Sequence, residues 1–507
     1  MRVGIIEILA LPSQNWANTI YRLSFTKQFA SVTPQAISVW CRQLGHETFY
    51  AVYYGVGDAH HRLPPDLDII FIACYTQSSP LAYALAKLYR KTGIRTVIGG
   101  PHAKSFPVDC LRFFDLVVKE CDKVLIVDIL AGQFDPGAFI SSAKPFDDLP
   151  TVEERMPEIR ASSFFWGKWP SFFSGVPMLA SMGCPYKCDF CTDWDTPYRL
   201  LSTDRLATDI RYITKNLPGI KMGFHDPNFG IKFDSVFDIL EAVPPDSRVP
   251  YIMECSLSVL DNSRIKRLKE TNCIGSLHGI ESWADYSGKT KARQKKGLEK
   301  VQQVVEQLQF ISEHVSYMQT CFLFGLDADQ GDEPIILMKN FLDNTPFVWP
   351  ALSIPIPFGG TPLYKELLAN DRILKAMPFA FYMGCLVNTL KNYDPTTYFE
   401  KLIELSSFAC SNKMLKQRMK STSDWRLKFV FWARTMIEKL KNNRYQQFLH
   451  MLHSDSQFRA FHEGQSEVLP EFYSKEYERM LGSYAELLSQ SERVPNLEQM
   501  TPVLSGK

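Results

Sequence analysis

The sequence predicts an α/β protein with an N-terminal doubly wound parallel sheet, a partial β/α barrel and a C-terminal α-helical region. Three observations carry this. Strand-like and helical patterns alternate over residues 1–132, the alternation returns from residue 177, and strand signals stop beyond about residue 366. In the first stretch the strand candidates are 3–9, 49–54, 67–74, 95–98 and 114–118, with helices at 34–44, 81–91 and 124–130. Residues 133–175 lose the alternation, are rich in Pro, Ser and Phe, and read as a linker. Strand candidates at 177–181, 221–224, 250–254, 274–279, 317–324 and 351–356 follow, separated by helices such as 203–215, 235–242, 263–270 and 298–312. Six such units suggest an open barrel with its site at the carboxyl ends of the strands. Asp394-Pro395 is a helix start, an N-cap followed by Pro at the first position, and helical patterns at 397–405, 426–440 and 474–488 fill the tail. The expected divisions are therefore 1–132, 133–175 (linker), 176–365 and 366–507.

Composition narrows the class of function. Apolar residues make up 45% and charged residues 22% of the 507, a globular rather than a disordered balance. A net charge of +1 supplies no field to attract nucleic acid, so no nucleic-acid partner is expected. No segment has the apolar length to span a bilayer, and the N-terminus enters a strand-like run without a signal-peptide pattern. A cytoplasmic protein with no stable membrane insertion is the expectation. Twelve cysteines in such a chain argue against a disulfide framework. Nine are scattered, mostly in apolar contexts where a free Cys behaves as a small hydrophobe. The aromatics Phe379, Phe381, Tyr382, Trp425, Phe429, Phe431 and Trp432 read as a helical core.

The other three cysteines fall within Gly183-Cys184-Pro185-Tyr186-Lys187-Cys188-Asp189-Phe190-Cys191, a Cys-x3-Cys-x2-Cys spacing. Thiolates select zinc, Cu(I) or iron–sulfur clusters. A closed zinc site needs a fourth ligand, and none lies nearby; a distant one such as Cys255 keeps that alternative open. Three thiolates on one tight loop can instead hold three irons of a cubane and leave the fourth open. The spacing, with Phe190 before the last Cys and a strand before the loop, resembles the radical S-adenosylmethionine (SAM) superfamily. The resemblance implies a [4Fe–4S] cluster on Cys184, Cys188 and Cys191, SAM chelated to the open iron, and reductive cleavage to a 5′-deoxyadenosyl radical. It also implies an external one-electron donor of flavodoxin or ferredoxin type. Phe190 would lie against the adenine. Phe224-His225-Asp226-Pro227-Asn228-Phe229 resembles the family's Phe-x-Asp-Asp-Asn-Phe element, with Pro227 in place of the second Asp, so Asp226 and Asn228 carry over as SAM-binding residues. Gly279-Ile280-Glu281-Ser282 resembles a strand-end element whose polar side chains, here Glu281 and Ser282, face SAM. Gly325 matches a glycine passing close to adenine, and 355–363 resembles the closing Pro-x-Pro…Gly-Thr-Pro-Leu element. No side chain is assigned a catalytic role.

Ahead of this core, Gly99-Gly100-Pro101-His102-Ala103 and Tyr75-Thr76-Gln77-Ser78-Ser79 resemble strand-end segments of the cobalamin-binding domain of class B radical SAM proteins. The implied cobalamin-side residues are Thr76, Gln77, Ser78, Gly99, Gly100, Pro101 and His102. Lys119-Glu120-Cys121-Asp122-Lys123 stands where the family has Gly-Glu-Gly-Glu, and no Asp-x-His-x-x-Gly follows the first strand. The combination implies a cobalamin-dependent methyltransferase acting on an unactivated carbon of a small molecule, such as a secondary metabolite or lipid. The alternative is a radical SAM cyclase, oxidase or rearrangement enzyme without methyl transfer. A cluster- or zinc-bearing binding module is the non-enzymatic reading.

Overall fold

The computed structural model describes residues 1–171, 174–284 and 295–505. The first strand, β1 (Arg2–Ile8), is buried at every residue after Arg2. A strand apolar on both faces needs cover on both, as parallel sheets provide. β2 (Glu47–Tyr53), β3 (Ile69–Cys74), β4 (Arg95–Gly99), β5 (Leu116–Val118) and β6 (Ala138–Ser142) join it in the order β2-β1-β3-β4-β5-β6, all parallel. In this order the chain changes direction of winding between β1 and β3, so the ligand crevice of such a sheet lies at their carboxyl ends. The helix Ser79–Lys91, with Pro80 in its first turn, buries Leu81, Leu85 and Tyr89 against this sheet.

β7 (Gly175–Met178) opens the second sheet. A short antiparallel pair, β8 (Ser181–Met182) and β9 (Arg199–Leu200), follows it. β10 (Lys221–Phe224), β11 (Tyr251–Glu254), β12 (Cys273–Glu281), β13 (Tyr317–Leu323) and β14 (Val348–Ser353) then add to β7 in sequential order, all parallel. This is the open β/α barrel. Two of its helices are started by side-chain caps, Ser202 for Thr203–Asn216 and Asp261 for Asn262–Glu270. At the helix Pro395–Ala409, Asp394 accepts from the Thr397 amide at 2.9 Å, the cap and Pro that the sequence advertised.

Four features depart from the sequence expectations. Asn15 caps a helix, Trp16–Phe25, that no apolar period announced. Within the stretch read as linker, residues 138–142 form β6 and Met156–Ser163 forms a helix. The helical tail ends in a strand, β15 (Val503–Ser505), which pairs in parallel with β6 and adds a seventh strand to the first sheet. Val503 and Leu504 are exposed, so backbone pairing rather than a side-chain pattern defines this strand. Of the C-terminal aromatics, Phe379, Phe381, Tyr382 and Phe431 are buried, while Trp425, Phe429 and Trp432 are exposed. Among the described residues no helix is long and apolar enough to cross a membrane.

The two sheets are locked together at the backbone. A Cβ on Gly359, after β14, would lie 1.9 Å from the Ser105 carbonyl oxygen, which only glycine avoids. Arg155, fully buried, donates to the Pro150 carbonyl, to Gln35 Oε1 at 2.8 Å and to the Pro177 carbonyl, joining the connecting stretch to both sheets. Glu7, in the middle of buried β1, accepts from the Ser31 amide and hydroxyl.

Burial pushes the Glu7 carboxyl up to about 7. The folded chain therefore holds this proton more tightly than the unfolded one, and the stability it lends is lost as pH rises through 7. Glu7→Gln should match the wild type in thermal melts at pH 4 and exceed it at pH 8, by up to about 3 kcal/mol. Gly359→Ala should cost about 1–3 kcal/mol in the same melts, because the displaced neighbour is backbone.

Candidate cluster and cofactor site

The cysteine loop leaves the carboxyl end of β7 and is pinned at its base. Ser181 pairs with Leu200 and Met182 with Arg199, and the Leu201 amide donates to the Ala180 carbonyl at 2.9 Å. Gly183 sits at φ +67°, with its Cβ position 2.3 Å from the Pro197 carbonyl oxygen and 2.5 Å from that of Thr196. No L side chain fits there, so Gly183 is required by both conformation and space. Inside the loop, the Cys191 amide donates to the Cys188 carbonyl and the Cys184 amide to the Thr196 carbonyl. Cys184 and Cys191 are half-buried and Cys188 is buried.

N–H groups address the sulfurs of Cys191 and Cys184. The Asp193 amide donates to Cys191 Sγ at 3.4 Å, and Asn228 Nδ2 donates to Cys184 Sγ at 3.6 Å. Donors to sulfur stabilise thiolate charge and tune iron–sulfur potentials. Among the described residues no three His, Cys, Asp or Glu side chains converge as one metal ion would require. Cys255, the distant zinc ligand weighed above, is buried with its Sγ 3.8 Å from His278 Nδ1. Elsewhere burial pushes thiols up, to about 12 for Cys41, Cys273 and Cys321, so they stay protonated.

Asp226 and Asn228 follow β10 and tie the loop to the sheet. The Asp226 carboxylate accepts from the Ala180 amide at 3.1 Å, from the Ser181 amide, and from Ser181 Oγ at 2.6 Å. Burial pushes it up to about 6, against those hydrogen bonds. It thus holds the turn from which the cysteine loop springs. Asn228 accepts from the Ser256 amide and donates to Ser256 Oγ, both at 2.9 Å, bridging the ends of β10 and β11.

Glu281 ends β12 at φ +67° beside a register shift, and is buried. Ser282 Oγ donates to Asp329 Oδ1 at 3.2 Å, while the Gly325 and Leu326 amides donate to Asp329 Oδ2 at 2.9 and 3.1 Å. Asp329 therefore draws Ser282 and Gly325 together. Sequence reasoning missed it, although an Asp four residues past a strand-end Gly is a turn signal. A Cβ on Gly325 would meet the Tyr398 ring at 2.7 Å, so this glycine makes room for a tyrosine of the C-terminal helices. Phe190 is half-buried on the loop, whose Asp189 carbonyl accepts from the Leu363 amide of the closing element at 3.0 Å.

On the first sheet, Thr76, Gln77 and Ser78 form a turn at the end of β3, and Gly99, Gly100, Pro101 and His102 leave β4. Gly100 has φ +88°, and a Cβ there would lie 3.4 Å from the Cys74 backbone. Thr76 Oγ1, Ser78 Oγ, His102 Nδ1 and Ser105 Oγ are buried and have no hydrogen-bond partner. Four such atoms at adjacent strand ends are a costly arrangement unless a polar group meets them. His102 Nε2 meets Tyr83 Oη, which donates to Asp109. Burial pushes His102 down to about 3, and its ring lies 4.8 Å from that of Phe379.

With this geometry in hand, the chain can be set beside known proteins. Residues 178–325 match the family described as the radical SAM superfamily. Two methyltransferases of Chlorobaculum tepidum are similar. Bacteriochlorophyllide d C-12(1)-methyltransferase is 23% identical over 316 residues, 60% of this chain and 66% of its own length. Bacteriochlorophyllide d C-8(2)-methyltransferase is 25% identical over 324 residues, 59% and 68%. The chain thus spans just under two thirds of the first relative. Among solved structures, the cobalamin-dependent SAM radical enzyme OxsB with aqua-cobalamin bound superposes with a TM-score of 0.59 at 12% identity, over 98% of this chain and 82% of that one. The radical SAM methyltransferase TsrM of Kitasatospora setae, with tryptophan and a SAM analogue bound, gives 0.52 at 12%, over 73% and 76%. At these identities the likeness is one of fold, and it extends through both sheets.

Gly183→Ala should leave a folded chain that takes up less than half of the wild-type iron and sulfide on anaerobic reconstitution. Full loading of this variant would show that the loop geometry does not govern the thiols.

Proposed function

We propose that this chain, whose residues 178–325 belong to the radical SAM superfamily, is a cobalamin-dependent radical SAM methyltransferase acting on an unactivated carbon of a small molecule. The observation that carries the proposal is the pairing of a three-thiol loop with a parallel sheet that holds four unpaired buried polar atoms beyond the carboxyl ends of β3 and β4, the first of these strands bordering the switch point. When bound, a [4Fe–4S] cluster supplies the electron for SAM cleavage and cobalamin supplies the methyl group.

Cys184, Cys188 and Cys191 hold the cluster, with the Asn228 and Asp193 N–H groups stabilising two of the sulfurs. Asp226 keeps the loop at the end of β7, and Glu281, Ser282 and Gly325 shape the barrel end on which SAM is bound, with Phe190 against its adenine. Thr76 and Ser78 offer hydroxyls, and Gly99 and Gly100 offer close backbone, to the amide-rich rim of a corrin; Gln77 and Pro101 border it. His102 positions the β4 turn through Tyr83 rather than reaching cobalt. Methyl transfer to an unactivated carbon needs no ionised nucleophile, in keeping with a site where no side chain is assigned as base. The reductant is a small flavodoxin- or ferredoxin-type carrier, and the compartment is the cytoplasm.

The relatives that act on bacteriochlorophyllides support a small-molecule substrate. The test is anaerobic reconstitution with iron, sulfide, cobalamin, SAM and reductant, followed by product analysis. Corrin absorbance together with S-adenosylhomocysteine and 5′-deoxyadenosine is the expected result. Deoxyadenosine alone, with no corrin retained, would favour cyclisation or oxidation. A chain that loads no iron would overturn the radical reading, and replacing all three cysteines by Ala should abolish both products.

A further inference from the structure

Lys104 occupies a place that neither the cysteine motif nor the strand-end resemblance accounts for. It lies on the short helix Pro101–Ser105, two residues beyond His102, and its side chain is largely withdrawn from solvent. Nζ meets Glu120 Oε1 at 3.0 Å, Asp193 Oδ1 at 2.7 Å and Thr196 Oγ1 at 3.2 Å. Glu120 follows β5 on the first sheet, whereas Asp193 and Thr196 belong to the cysteine loop. One ammonium therefore joins the two halves of the site across 89 residues of sequence. Burial alone would discharge it, but Glu120 and Asp193 outweigh burial and push its pKa up, so it stays a cation.

Both loop residues it grips touch a cysteine. The Asp193 amide donates to Cys191 Sγ, and the Thr196 carbonyl accepts from the Cys184 amide at 3.3 Å. Lys119 repeats the connection in parallel, 3.6 Å from Asp195. Both anchors on the first sheet lie in the segment that stands in place of the family's Gly-Glu-Gly-Glu: Glu120 keeps that element's acidic residue, and Lys119 replaces its first glycine. A simple surface ion pair would contribute little. This one is sheltered, charge-assisted on two carboxylates, and bonded directly to the frame of two cluster ligands.

We infer that Lys104 is a positioning residue that fixes the cluster loop on the first sheet and, as a cation bonded to Asp193 and Thr196 of that loop, raises the reduction potential of the cluster. The inference rests on the cluster assignment proposed above. Reduction adds an electron to the cluster, and a nearby positive charge favours that state. Removing the charge leaves Glu120 and Asp193 uncompensated beside the sulfurs, so the potential must fall.

The test uses the full chain, reconstituted anaerobically, as wild type, Lys104→Arg, Lys104→Met and Glu120→Gln. Iron and sulfide are counted first, and the midpoint potential is then read by EPR-monitored redox titration. Lys104→Met should load a cluster whose midpoint is shifted downward, and Lys104→Arg should restore most of the shift. Glu120→Gln, which removes a neighbouring negative charge, should shift it upward. Opposite shifts from the two variants are a signature that a merely structural role would not produce. If Lys104→Met fails to load iron, Glu120→Gln decides by its own shift. Unchanged potentials in loaded variants would overturn the role of Lys104 while leaving the cluster assignment intact. A wild-type chain without iron would overturn both.

Discussion

The Asp226 carboxylate, buried at the end of β10, accepts hydrogen bonds from two successive amides and one hydroxyl of the turn that leaves β7. These bonds act together with the β8–β9 pairing and the Cys184–Thr196 bond, and Gly183 between them turns through a conformation that only glycine tolerates. A buried carboxylate is expensive, and the three donors offset only part of the cost. The arrangement fixes the direction in which the loop that carries the three cysteines departs. Asn228, two residues on, extends the same control to Cys184 itself. The strand end, the turn and the thiols form one hydrogen-bonded unit, and the barrel gives that unit a rigid base.

The same logic governs the first sheet. Its order places the change of winding between β1 and β3, and the buried hydroxyls of Thr76 and Ser78 lie at the end of β3. The 379–382 segment of the C-terminal region covers this end, with Phe379 against His102 and Phe106. The C-terminal helices are therefore part of both strand-end surfaces, since Tyr398 also fills the space beside Gly325. They act as a shared wall, which explains why they are rich in aromatics without carrying a motif.

What could be read from the sequence was what is local. Cys-x3-Cys-x2-Cys is a spacing, and a spacing survives without knowledge of the fold. β1 and β3 were legible because burial on two faces writes continuous apolar runs, the barrel strands because they recur between helical patterns, and Asp394-Pro395 announced its helix through a contact spanning three residues. Residues whose role depends on distant partners were not legible. Asp329 meets Ser282 across 47 positions, and Lys104 meets Asp193 across 89. β6 was hidden because a five-residue strand among Pro and Ser has no period of its own. For the same reason Trp425, Phe429 and Trp432 read as core, although the helix that carries them turns them outward.

β15 lends its backbone to the edge of a sheet that begins at Arg2. During synthesis, the first six strands emerge long before this seventh, and the amides and carbonyls of β6 face water in the meantime. The edge can close only after the barrel and the helical region have been made. Until residues 503–505 are in place, β6 carries an unpaired row of amides and carbonyls, a template on which another chain could pair.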